Sequence, residues 1–148
     1  MSGPYLDTGL VLKLVIDEPL SATVAGWLAQ KRAPVPYTRL VEVELENTLH
    51  AKLFRKEITA RQLKDAQSFV RNLLMEGNFF HPDLSLETVV LEALEAMPKT
   101  TIITGCRTLD LLHVMSGKIL GCSEFLTSDK RQAETARTYG LKVEFFTE

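Results

Sequence analysis

Short apolar runs alternate with longer amphipathic stretches along this chain, and that alternation restricts its fold more than any other feature. Tyr5-Leu6 reads as a short buried strand that runs straight into Asp7. Pro34-Val35-Pro36-Tyr37, Phe79-Phe80, Glu124 to Thr127 and Leu141 to Phe146 read as further strands. Between them lie helical patterns. Leu20, Val24, Trp27 and Leu28 recur at helical spacing after Pro19, and Arg39 to Arg55 forms the next helix. Thr59 stands as an N-cap before Leu63, Ala66, Val70 and Leu73, and Gly77 ends that helix. Leu86, Val90, Leu94 and Met97 mark a helix closed by Pro98. Leu109, Leu112, Ser116 and Ile119 form the stripe of a helix over 108–120, and Ala133 and Ala136 belong to a last one that stops at Gly140. Thr100 to Thr104 fits either a strand or a loop. Strands that alternate with helices imply an α/β fold with a mainly parallel sheet. Ligands collect at the carboxyl ends of such strands, where Asp7 and Asp129 stand.

The chain has 148 residues, one domain spanning 1–148, with 45% apolar and 24% charged residues, as in soluble globular proteins. A formal net charge of −2 excludes a strongly basic nucleic-acid coat and leaves room for a local basic rim. The sequence holds no apolar run of roughly 18 residues, so no spanning helix is expected. Met1-Ser2-Gly3-Pro4 does not read as the start of a signal peptide. Cys106 and Cys122 make no disulfide framework, which points to a cytoplasmic protein. With three scattered histidines they also cannot build a structural zinc site.

Four acids occupy unusual positions. Asp7 follows an apolar strand, Glu44 lies one turn after Leu40 and one before Thr48, Asp110 sits among Leu109, Leu111 and Leu112, and Asp129 closes Phe125-Leu126-Thr127-Ser128. Each has a bland reading. Asp7 and Asp129 are candidate helix caps, Asp110 a first-turn acid that favours the helix dipole, and Glu44 a solvated residue like Glu42 and Glu46. If the four converge, they cannot all ionise without a cation, and an oxygen-only cluster suits Mg²⁺ or Mn²⁺.

The order Tyr5-Leu6-Asp7-Thr8, then Thr38-Arg39-Leu40-Val41-Glu42-Val43-Glu44-Leu45-Glu46-Asn47, then Arg107-Thr108-Leu109-Asp110-Leu111-Leu112-His113-Val114, then Phe125-Leu126-Thr127-Ser128-Asp129 resembles a PIN domain. Its likeness is to the VapC-type toxins of bacterial toxin–antitoxin pairs, and it runs from Tyr5 to about Val143. The resemblance implies a three-layer α/β/α Rossmann-like sandwich and an endoribonuclease that needs Mg²⁺ or Mn²⁺. Asp7, Glu44, Asp110 and Asp129 match the family's metal-site carboxylates, and Thr8 and Thr127 match the hydroxyl residues that support them. Glu44 is preferred over Glu42 and Glu46 because Asn47 follows it in a Glu-x-x-Asn pattern. A homodimer and a cognate antitoxin are implied as well. The sequence departs from the family at Lys130 and Arg131, where many relatives carry a further acid, and at Met115-Ser116-Gly117-Lys118, where relatives are rich in alanine.

Arg39, Arg107, Lys130 and Arg131 flank these motifs and are candidates for contacting the RNA backbone, or equally plain surface charges. His113 shares a helix face with Asp110 and reads as a packed, hydrogen-bonded residue rather than a general base. His50 and His81 belong to no constellation, Cys106 and Cys122 read as inert thiols, and Trp27 as packing. Two other functions compete with the nuclease. One is a catalytically silent PIN-like interaction module. The other is a haloacid-dehalogenase-like phosphotransferase, which would need an acid where Gly9 stands.

Overall fold

The computed structural model describes residues 3–148; Met1 and Ser2 of the N-terminal segment lie outside the described residues. Strand β1 (Pro4–Leu6) leads into α1 (Thr8–Val15) and α2 (Ser21–Lys31). Then come β2 (Val35–Pro36), α3 (Arg39–Phe54), α4 (Ala60–Met75), β3 (Phe79–Phe80) and α5 (Leu86–Ala96). The chain closes with α6 (Ile102–Thr104), α7 (Thr108–Ile119), β4 (Glu124–Thr127), α8 (Lys130–Thr138) and β5 (Lys142–Phe145). All described strand pairings are parallel, in the order β1-β4-β5 and β2-β3. Every residue of β1 and β4 is buried, so helices cover both faces of the sheet in the α/β/α layering expected.

The sheet falls into two pieces for a local reason. Val35 and Tyr37 donate their N–H groups to Asn78 and Phe80, so the nitrogen of Pro36 faces β1 and has no hydrogen to give. Asp7 likewise donates to Leu126, which turns the nitrogen of Pro4 toward β2. The strands still lie side by side. A Cβ on Gly3 would come within 2.8 Å of the Pro34 carbonyl oxygen, so this close approach requires glycine.

Four of the eight described α-helices, α3, α4, α5 and α8, start at a side-chain cap. Thr38 accepts from Val41 N–H, and Thr59 and Gln62 form a reciprocal capping box. Two sequence expectations fail. Pro98 does not end α5: the helix widens into a π turn over Met97–Thr101 and continues through α6, so 100–104 is neither strand nor loop. Proline lacks the N–H that would bond four residues back, and the wider turn absorbs that loss. In α7 the buried face carries Leu111, His113, Val114, Met115 and Ser116, while Leu109 and Ile119 are exposed. The apolar stripe misplaces this face because two polar side chains, each hydrogen-bonded, point inward. Tyr5 stacks on Phe125 with ring centroids 5.4 Å apart, and α7 lies against both through Gly117. The small residues of α7 thus serve the sheet. No described helix is long and apolar enough to cross a membrane.

Candidate metal centre

Parallel strands end with their side chains and the following helix starts on one edge, and here β1 ends at Asp7 and β4 at Thr127. Asp7, Thr8, Glu44 and Asp110 line a pocket of about 190 Å³ on that edge, together with Gly9, Leu12 and Thr48. Asp7 occupies the N-cap position of α1, but its side chain makes no capping bond and is left for the pocket. Glu44, not Glu42 or Glu46, turns inward from α3. Its Oε1 accepts from His113 Nε2 at 2.8 Å. Glu42 pairs with Arg39 at 2.8 Å, and Glu46 accepts from Gln67 at 3.1 Å.

His113 is fully buried and bonded at both ends. Because a carboxylate only accepts, Nε2 carries a proton toward Glu44, while Nδ1 lies 2.8 Å from the Tyr5 hydroxyl. Thr8 Oγ1 lies 3.2 Å from the same Nε2. Single ligand atoms of Asp7, Glu44 and His113 all lie within 4.8 Å of one another, a separation at which one ion could touch all three.

The other two acids are held differently. Arg107 reaches Asp110 at 3.3 Å and Asp129 at 3.7 Å across the mouth of the site. Asp129 spends Oδ1 on the N-cap of α8, where it accepts from Gln132 N–H at 2.8 Å. The capping reading of Asp129 therefore describes this oxygen, and the residue does not line the pocket shared by Asp7, Glu44 and Asp110. Thr127 accepts from Asp129 N–H and donates to Gln132 Oε1 at 2.6 Å.

Gln132 is the residue that sequence reasoning missed. Thr127 fixes its oxygen, so its amide nitrogen must donate, to the Asp110 carbonyl at 3.1 Å and to Asp7 Oδ1 at 3.4 Å. Asp-x-x-Gln at a helix start is a capping-box pattern and was the available signal. Here Thr127 takes the N-cap N–H instead and frees the Gln132 side chain to reach the acids.

The charges strain against one another. Burial pushes the Asp7 carboxyl up to about 6, and Asp110 and Glu44 push the same way against His113 and Gln132. Asp110 is also raised, by burial and by Asp129, with Arg107 opposing. Glu44 is held below its ordinary value, first by the hydrogen bond from His113. A site that raises two acids, with one cationic side chain at its mouth, fits a divalent cation.

A family model described as the PIN domain matches residues 5–138, which include all four acids. The chain belongs to the PIN domain family. A search of curated proteins found no match. Among solved structures, this PIN domain resembles VapBC2 from Rickettsia felis, bound to a DNA fragment from its promoter, with a TM-score of 0.64 at 14% identity, covering 96% of this chain and 97% of that one. It also resembles FitAcB from Neisseria gonorrhoeae, with a TM-score of 0.62 at 12% identity, covering 97% and 96%. At such identity the likeness is one of fold.

The cations proposed for a rim of this PIN domain are placed unequally. Arg107 stands at the pocket mouth. Lys130 and Arg131 are exposed on the first turn of α8, with Arg131 beside Gly105. Arg39 is occupied by Glu42. Both thiols are buried, and burial pushes Cys122 up to about 11. Trp27 packs partly against the core with Lys31 Nζ 5.0 Å from its ring. His50 bonds the Glu46 carbonyl and His81 the Tyr37 carbonyl.

Proposed function

We propose that this PIN domain, 1–148, is a divalent-metal-dependent endoribonuclease and the toxin of a VapBC-type pair, acting in the cytoplasm. The observation that carries the reading is the convergence of Asp7, Glu44 and Asp110 on one pocket at the carboxyl edge of the sheet. Asp7, Glu44 and Asp110 would hold a Mg²⁺ or Mn²⁺ ion, with Asp129 Oδ2 at the edge of the site and Thr8 and Thr127 as supports. A bound ion of this kind supplies a Lewis acid for the phosphate and lowers the pKa of water. The remaining work belongs to the chain. Gln132 holds Asp7 Oδ1 and leaves Oδ2 facing Gly9, whose missing Cβ keeps that side open. Arg107, 76% exposed, is free to leave Asp110 for a phosphate. Lys130 and Arg131 extend the positive rim, and Arg39 would join it by releasing Glu42.

The partner part of the reading, a homodimer and a cognate antitoxin, draws support from the surface. Leu86, Val90, Leu91 and Leu94 of α5 and Ile102 and Ile103 of α6 stay between about half and four-fifths exposed. A cluster of that kind marks a protein contact face. Family membership sets aside the haloacid-dehalogenase-like alternative.

The test joins melting to cleavage. Mn²⁺ at about ten times its Kd should add roughly 1.4 kcal/mol, a shift of roughly 3–5 °C. Mn²⁺ should also permit cleavage of a structured RNA, and Asp7→Asn should lose the shift and at least about 100-fold of the rate. A wild type that neither shifts nor cleaves would replace this reading with the silent interaction module.

A further inference from the structure

A fully buried imidazole lies directly behind the acids of the pocket, and the oxygen-only ligand set does not use it. His113 Nε2 faces Glu44 Oε1 at 2.8 Å, and Glu44 lines the pocket with Asp7. Cis ligands of an octahedral ion lie about 3 Å apart, because each bond is roughly 2.1 Å. The His113–Glu44 pair is already at that spacing, and Asp7, whose ligand atom lies within 4.8 Å of both, would draw in to join them. The far side of the ring is prepared too. A metal-bound histidine donates its other N–H to an oxygen, and the Tyr5 hydroxyl lies 2.8 Å from Nδ1. Tyr5 can accept there and turn its own hydrogen to Thr38 Oγ1, 3.4 Å away. In that arrangement Nδ1 carries the proton and Nε2 offers its lone pair to the ion.

We infer that His113 Nε2 is a direct metal ligand, making a mixed nitrogen–oxygen site of Asp7, Glu44 and His113 that prefers a first-row transition-metal ion to Mg²⁺. Imidazole is a poor ligand for Mg²⁺ and a good one for the later divalent ions. The bonding partners argue for this assignment over simple packing: Nε2 meets Glu44 at 2.8 Å and Thr8 Oγ1 at 3.2 Å, and both of those residues line the pocket. The inference rests on the metal-site reading above and adds to it the donor atom and the selectivity.

The test uses Mn²⁺ as the probe and the full chain without RNA. Electron spin-echo envelope modulation of the Mn²⁺-loaded protein should show ¹⁴N coupling that changes to ¹⁵N when histidine is ¹⁵N-labelled. The double variant His50→Gln/His81→Gln leaves His113 as the sole histidine of the three and should keep the coupling. His113→Gln should lose it and should narrow the Mn²⁺-over-Mg²⁺ affinity ratio by about tenfold. Bound Mn²⁺ with no nitrogen coupling in the wild type would overturn this inference and leave the carboxylate site standing. Absence of Mn²⁺ binding would overturn both. The wild-type and double-variant spectra decide the matter even if His113→Gln does not fold.

Discussion

Asp7 and Glu124 are equally buried, at 9% and 8% exposure, and lie at opposite ends of the same strand pair. Their surroundings differ. Glu124, at the amino end of β4, meets Lys31 Nζ at 2.9 Å and Lys142 Nζ at 3.7 Å. Asp7, at the carboxyl end of β1, meets a neutral amide, an imidazole and two other acids. Burying a carboxylate costs the same kind of energy at both ends. At the amino end the fold supplies the counter-charge itself. At the carboxyl end His113 and Gln132 offset only part of the cost, and the acid remains partly protonated near pH 6. A fold tolerates such a charge where a cation from outside is to be received.

The largest effect that would break this contrast is at Asp7. Its carboxyl is raised from 3.8 to about 6, so the protonated form is the one the metal-free fold favours. The stability this gives is fully present below pH 4 and is lost as pH rises through about 6. The loss amounts to about 3 kcal/mol above pH 7, at roughly 1.4 kcal/mol per unit. Asp7→Asn should therefore match the wild type in chelator at pH 4 and melt roughly 5–10 °C higher at pH 7.5. Equal melting points at both pH values would remove the contrast.

Glu124→Gln should act with the opposite sign and a smaller size. It breaks two ion pairs but leaves lysines that can reach water, for a loss of about 1 kcal/mol at neutral pH. RNA cleavage should be unchanged, which a rate measurement beside a melt will check. Arg107→Ala is the smallest change in stability, under about 0.5 kcal/mol, because its guanidinium is 76% exposed. It should instead weaken RNA binding and lower the salt dependence by about one counterion, read from binding at several salt concentrations.

Much of this was legible beforehand. The strand–helix alternation, the caps at Thr59 and Asp129 and the position of Asp7 at a strand end all depend on residues within a turn or two of each other. The preference for Glu44 over its neighbours came from its spacing and from the family-like Glu-x-x-Asn pattern with Asn47, and its side chain turns inward to His113. The role of His113 was only half legible. Its burial and bonding follow from an apolar neighbourhood, but the identity of its partners does not. The continuation of α5 through Pro98 was missed because the backbone had a wider turn available than the proline rule assumes.

The sequence alone determined the elements, their order and the chemistry available to them, because periodicity, capping and composition act over short separations. Tertiary structure decided which groups meet. Tyr5 and His113 are 108 residues apart, Asp7 and Gln132 125, and Glu44 and His113 69. No local preference encodes those contacts. They exist because parallel pairing of β1 with β4 brings Asp7 and Thr127 to one edge, where Glu44 of α3 and His113 of α7 meet in a hydrogen bond.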